Sequence, residues 1–140
     1  INEGAWYPAR QDMTNDISVV GLYDFSDKWT LSATWVYQTG NAVTFPSGKY
    51  EINGEVRYNY DKRNANRMPD YHRLDVGLTW NLNTKGRYKS SLNFSVYNAY
   101  ARKNAFSIDF KQDPANPDQT IAVMTYLFTI IPSITYNFHF

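Results

Sequence analysis

Alternation of apolar and polar residues with a period of two runs through most of this chain, and helical periodicity is weak everywhere. In residues 28–38, Trp29, Leu31, Ala33, Trp35 and Tyr37 share one side. Thr30, Ser32, Thr34 and Gln38 share the other, with Val36 the single apolar intruder. In residues 73–82, Leu74, Val76, Leu78, Trp80 and Leu82 oppose Arg73, Asp75, Gly77, Thr79 and Asn81. From residue 88 to 110, Leu92, Phe94, Val96, Tyr100, Phe106, Ile108 and Phe110 keep phase against Lys89, Ser91, Asn93, Ser95, Ser107 and Asp109. Met124, Tyr126, Phe128, Ile130, Ile134, Tyr136, Phe138 and Phe140 do the same to the last residue. Phase held over such lengths predicts two long, continuous strands without a one-residue slip. Pro132, lacking an N–H, predicts a bulge or a lost ladder bond in the last of them. Residues 16–25 form a fifth, less clean strand, in which Ile17, Val19, Tyr23 and Phe25 alternate but Val20 and Leu22 blur the pattern.

The connections come in two lengths. Short turns are expected near Ser26-Asp27 and across residues 83–86, and longer polar loops across residues 46–66 and 111–119. Short and long connections in alternation suit an antiparallel wall with tight turns at one end and loops at the other. An ionic pair such as Arg73 and Asp75 cannot point into hydrocarbon, so one face of that wall must meet water or a polar lumen.

Composition sharpens this picture. Of 140 residues, 12 are Tyr, 8 Phe and 4 Trp, yet the mean hydropathy is negative. Disordered chains lack such aromatics, and no apolar run approaches the roughly 20 residues of a membrane helix. The expectation is an all-β fold, an antiparallel transmembrane β-barrel wall that is apolar on one face and wet on the other. Aromatics beside the turns fit interfacial belts: Phe25, Trp29, Trp80 and Tyr88, with Phe138 and Phe140, at the short-turn end, and Trp35, Tyr37, Tyr100 and Phe128 at the other. Trp29 to Tyr37 is eight steps, about 26 Å of strand, or about 20 Å of height after tilting. A net charge of +1 suggests no nucleic-acid partner. The absence of cysteine excludes disulfides, thiolate zinc sites and a thiol nucleophile. No cofactor is expected. No signal peptide is present in these residues.

About five strands cannot close a barrel, since the smallest bacterial barrels have about eight. Open edges in lipid would leave backbone groups unpaired at several kcal/mol each. Residues 1–140 are therefore expected to be part of a larger barrel whose remaining strands lie elsewhere.

Several stretches carry a family resemblance. Arg67-Met68-Pro69-Asp70-Tyr71-His72-Arg73-Leu74-Asp75 resembles a signature late in TonB-dependent outer-membrane receptors, in the class with an N-terminal carboxypeptidase-like regulatory domain. Residues 35–44, with Tyr37-Gln38-Thr39-Gly40, resemble a strand end of the same receptors. Residues 94–100 with Arg102-Lys103-Asn104 resemble the next strand, and residues 131–138 the closing one. The likeness runs over nearly the whole chain in the right order, with Met68 where Leu is more usual. It implies a barrel of about twenty-two strands filled by a plug. It also implies energy-coupled import of a scarce nutrient (iron chelate, cobalamin, glycan or peptide) at the bacterial cell outer membrane. The implied partners are membrane lipid and lipopolysaccharide, the rest of the barrel and its plug, the TonB complex through a segment outside these residues, the outer-membrane assembly machinery, and a surface lipoprotein.

Asp70, His72, Arg73 and Asp75 raise a metal or acid–base site. On a strand, however, His72 points away from Arg73 and Asp75, so a lumen-wall salt bridge with a rim histidine is the expectation. Arg63, Asn64, Asn66 and Arg67, at the end of a long outer loop, are candidates to contact an anionic cargo or lipopolysaccharide. Ile134, Tyr136, Phe138 and Phe140 resemble the terminal signal of barrel assembly, whose physical basis is strand addition. Neither histidine has an obvious serine partner, so an enzyme is not expected. A non-transport barrel or adhesin, and a soluble β-sandwich binding module, are the competing readings.

Overall fold

The computed structural model describes residues 4–60, 62–83, 87–116 and 118–140. The chain is all-β. Five strands form one antiparallel sheet: β1 (Asp16–Ser26), β2 (Trp29–Gln38), β7 (Tyr71–Asn83), β8 (Lys89–Tyr97) and β11 (Ile131–His139), in that spatial order. Three small ribbons complete the fold: β3 (Ala42–Val43) with β6 (Asn66–Arg67), β4 (Gly48–Ile52) with β5 (Glu55–Asn59), and β9 (Ser107–Gln112) with β10 (Thr120–Thr125). β1 and β11 are the sheet's open edges, and no closed barrel forms among the described residues.

Register explains why the sheet is two-faced. Trp29 pairs with Trp80, Leu31 with Leu78, Ala33 with Val76 and Trp35 with Leu74. Leu78 continues to Phe94, and Phe94 to Ile134. Val19 pairs with Trp35 and Tyr23 with Leu31. Because side chains alternate across a strand, these residues form one apolar surface across all five strands. Its side chains are uncovered: Leu31 is 43 % exposed, Phe94 39 % and Ile134 71 %. No ribbon contacts the sheet strands closely enough to cap them. The only buried apolar residue among those described is Ala42. A water-soluble sandwich needs a second layer on this face, and none is present among the described residues.

The opposite face is polar and internally bonded. Arg73 Nε donates to Asp75 Oδ2 at 2.9 Å, Asn93 Nδ2 to Thr79 Oγ1 at 2.8 Å, and Gln38 Nε2 to Asp16 Oδ2 at 3.2 Å. The wall's two short connections, β1–β2 and β7–β8, lie at one end, and the long excursions lie at the other. Bulges interrupt the register only beside the short connections, between Asp24 and Ser26 and between Asn81 and Asn83. Residues 84–86, most of the second expected short turn, lie outside the described residues.

Three expectations need correction. The stretch 88–110 is not one strand: β8 stops at Tyr97 and β9 begins at Ser107. Nor is the last stretch continuous, since β10 ends at Thr125 and β11 starts at Ile131. Both interruptions preserve parity, so the period-two pattern passes over them. The expected loop at 46–66 contains the β4–β5 hairpin, closed by Asn53 and Gly54 at φ 53° and 79°. Positive φ at both positions is the geometry that two-residue hairpin turns require, and Asn-Gly is the pair that adopts it most readily. Pro132 pairs in register with Val96 without a bulge. It lies on an edge strand, where a missing donor is tolerated.

Candidate functional site

The two longest stretches that carry the family resemblance meet at one junction. Gly40, just past β2, lies against the backbone of Met68, so close that a Cβ there would fall 1.6 Å from the Met68 carbonyl oxygen. The Asp70 carboxylate closes the junction. Its Oδ2 accepts from the Tyr37 hydroxyl at 2.8 Å and its Oδ1 from the Gly40 amide at 3.1 Å. Those bonds, the tyrosine's first, hold the Asp70 carboxyl below its ordinary range. A depressed carboxyl pKa contributes stability that is complete above the unfolded-state pKa, about 3.9. That contribution disappears as pH falls through the lower, folded value. Asp70→Asn is therefore expected to lower the urea midpoint at neutral pH. The gap to wild type should narrow steadily below about pH 4; urea titrations at stepped pH check it, and a gap constant with pH would contradict it.

Beside this junction the chain replaces a strand ladder with side chains. Asn98 is 1 % exposed and has φ 52°. Its amide Nδ2 donates to the carbonyls of Arg102, at 2.9 Å, and Thr129, and its Oδ1 accepts from the Arg102 amide at 3.2 Å. Asp75 Oδ1 receives the Asn98 backbone N–H at 2.9 Å. Asn104 pairs reciprocally with the His72 backbone, accepting at 3.2 Å and donating at 3.0 Å. Arg102 donates to Asn104 Oδ1 at 3.2 Å and to the Asp70 carbonyl at 3.1 Å. Residues 98–104 are thus fastened to the start of β7 without being a strand.

The expected Arg73–Asp75 ion pair forms, with both side chains about a quarter exposed. It belongs to a larger cluster. Arg73 Nη1 donates to the hydroxyls of Tyr71 and Tyr97, each at 2.9 Å, and its guanidinium lies 4.4 Å from the Tyr97 ring centre. His72 falls on the apolar side opposite Tyr37, and its Nδ1 is 2.7 Å from the Tyr100 hydroxyl.

The aromatics expected in belts do cluster. At the short-turn end Trp29 stacks on Trp80 at 5.2 Å, Tyr88 on Phe138 at 6.1 Å, and Phe25 lies 6.1 Å from Tyr23. At the other end Trp35 stacks on Tyr37 at 6.0 Å. Phe128 is exposed in the gap between β10 and β11 and joins no ring pair among the described residues. Ile134, Tyr136, Phe138 and Phe140 all lie exposed on or just beyond the β11 edge.

The candidate loop residues divide. Arg67 is engaged, its guanidinium bound to the Asp12 carboxylate and to the Asp12 carbonyl. Asn64 Nδ2 donates to the Pro8 carbonyl at 2.8 Å, and Asn41 Nδ2 to the Arg10 carbonyl at 3.3 Å. These residues pin the segment 8–12, which the sequence pattern left unassigned. Asn66 Oδ1 accepts from the Phe45 amide at 3.1 Å. Arg63 and Asn64 line a cleft of about 990 Å³ together with Arg10, Tyr58, Tyr60, Phe110 and Lys111. Sequence reasoning missed Arg10 and Lys111 because they are distant in the chain from Arg63 and carry no local motif.

Comparison of the chain with family models, with curated proteins and with solved structures finds no match.

Proposed function

We propose that this chain forms C-terminal strands of the barrel of a TonB-dependent outer-membrane receptor, a protein that imports a scarce nutrient. The observation that carries this reading is the uncovered apolar surface spanning all five strands, backed by a face that carries the Arg73–Asp75 ion pair and side-chain hydrogen bonds. Exposed apolar area of this extent signals a membrane or a partner. The five strands run from 9 to 13 residues, the length needed to cross an outer membrane at a tilt. Aromatic pairs at both ends fit interfacial belts, and the long excursions at one end fit surface loops. In this reading lipid and lipopolysaccharide meet the apolar face, while further strands and a plug meet the edges and the polar face. The TonB complex acts through a segment outside these residues. The β11 edge, with Ile134, Tyr136, Phe138 and Phe140, serves the assembly machinery by strand addition. A surface lipoprotein is a further partner, and the chain has no catalytic role.

Lipids brominated on the acyl chain test the reading. In the full-length protein reconstituted into vesicles, with Trp29, Trp35 or Trp80 kept as the only tryptophan of this segment, bromolipid is expected to quench each of the three. Trp6, fully exposed and off the sheet, is expected to escape. Equal protection of all four from bromolipid would sink the membrane assignment.

A further inference from the structure

The cleft beside the long connections combines three features that a surface hollow need not share. The basic residues that line it, Arg10, Arg63 and Lys111, outnumber the one carboxylate among its described lining residues, Asp109. None of the three forms a salt bridge among the described residues, whereas Arg57, Arg67 and Arg73 are paired with Glu55, Asp12 and Asp75. Unpaired like charges gathered in a concave site focus a positive potential into it.

The second feature is anchoring. Arg10 sits on the segment held at Pro8, Arg10 and Asp12 by Asn64, Asn41 and Arg67. The Arg63 guanidinium lies 4.7 Å from the Tyr7 ring centre. Lys111 follows Phe110 on β9, and Phe110 packs edge-on against Phe45 at 5.2 Å. Side chains carried on anchored backbone lose less freedom on binding. The third feature is ring surface, supplied by Tyr58 and Tyr60 near the same charges. Guanidinium groups recognise carboxylate, sulfate and phosphate with paired hydrogen bonds, and aromatic walls accept flat faces.

We propose that this cleft binds a ligand bearing several anionic oxygens on a framework of rings whose faces stack on the tyrosines, with Arg10, Arg63 and Lys111 as the anion contacts. The proposal deepens the receptor reading, on which it rests, by naming the chemistry of what is bound. It also moves the anion site away from Arg67, whose charge Asp12 already occupies.

Titration of the full-length protein in detergent tests it, with two probes that present the same chemistry on different frameworks. One is 1,3,6,8-pyrenetetrasulfonate, an aromatic polyanion, and the other a heparin-derived hexasaccharide; maltohexaose is the neutral control. At least one polyanion is expected to bind, to weaken as salt rises, and to weaken about tenfold or more in the R10Q/K111Q double variant. Which polyanion binds identifies the framework. Arg10, Arg63 and Lys111 are all exposed, so the double variant is expected to fold, and bromolipid quenching of Trp35 verifies this separately. Failure of both polyanions to bind, binding indifferent to salt and to the substitutions, or equal binding of maltohexaose would each overturn the proposal. If Trp35 is quenched while both polyanions fail, the cleft assignment falls and the receptor reading stands.

Discussion

Gly40→Ala is expected to be the most damaging single-methyl change in this chain. The added Cβ would meet the Met68 carbonyl oxygen at 1.6 Å and its carbon at 2.5 Å. Those atoms are backbone, so no rotamer change relieves the clash. One of the two chain segments must move, and each is tied on both sides of the contact. The Met68 amide donates to the Asn41 carbonyl at 3.0 Å, and the Gly40 amide to Asp70 at 3.1 Å. Moving either segment forfeits those bonds and disturbs the β3–β6 pairing that follows. A loss on the order of 3 kcal/mol or more is expected, at the upper end of overpacking effects. Gly48→Ala is the matched control, since no atom lies within 4 Å of the Cβ it would add; its effect should stay within about 0.5 kcal/mol. Urea unfolding of the two variants in detergent compares them directly. Equal midpoints would show that the approach of Gly40 to Met68 does not constrain the fold.

Asn98→Ala should follow closely. Alanine would occupy a left-handed backbone position, at a cost of roughly 1–2 kcal/mol. It would also strip partners from the carbonyls of Arg102 and Thr129 and from the Arg102 amide. Each buried group left unsatisfied costs roughly 1–3 kcal/mol. Partial relaxation toward water reduces the sum, and a total of about 3–5 kcal/mol is expected. Asn98→Gly separates the two contributions, because glycine accepts the backbone angle but cannot make the side-chain bonds. It should recover about 1 kcal/mol of the loss. Amide exchange adds a local readout: the Ala99 and Arg102 N–H groups, bonded to Leu74 and Asn98, should exchange faster in both variants. Protection unchanged from wild type would mean that the Asn98 side chain does not hold the segment.

Strand identity and facing were legible because period-two alternation is a direct record of which side of a sheet a residue occupies. That Trp29 and Trp80 face the apolar side, and Arg73 and Asp75 the other, follows from that record alone; the pairing of Trp29 with Trp80 is set by the register. The same record is blind to an interruption that preserves parity. A warning was nevertheless present in residues 98–104: positions 98, 102 and 104, in the phase that should be apolar, hold Asn, Arg and Asn. Those three side chains are the ones that take over from the ladder. Asn53-Gly54 likewise announced a hairpin inside a stretch that otherwise reads as polar loop. The cleft is a different matter. Arg10, Arg63 and Lys111 converge only once the excursions have folded, and no local spacing encodes such a meeting. Sequence alone does not distinguish Arg67 from Arg63, because the Asp12 that binds Arg67 is 55 positions away.

A single buried apolar residue, Ala42, among all those described changes how this segment responds to substitution. Trimming Leu31 or Ile134, 43 % and 71 % exposed, to a smaller aliphatic side chain digs no hole, because little is packed over the side chain to be left hanging. The penalty that makes ordinary protein interiors intolerant of such trimming is largely missing here. Its exposed apolar positions should therefore accept exchange among Leu, Ile, Val and Phe at little cost. Gly40, Asp70, Asn98 and Asn104, all in the connections beside the strands, have no comparable latitude, since a backbone contact or hydrogen bonds fix each of them.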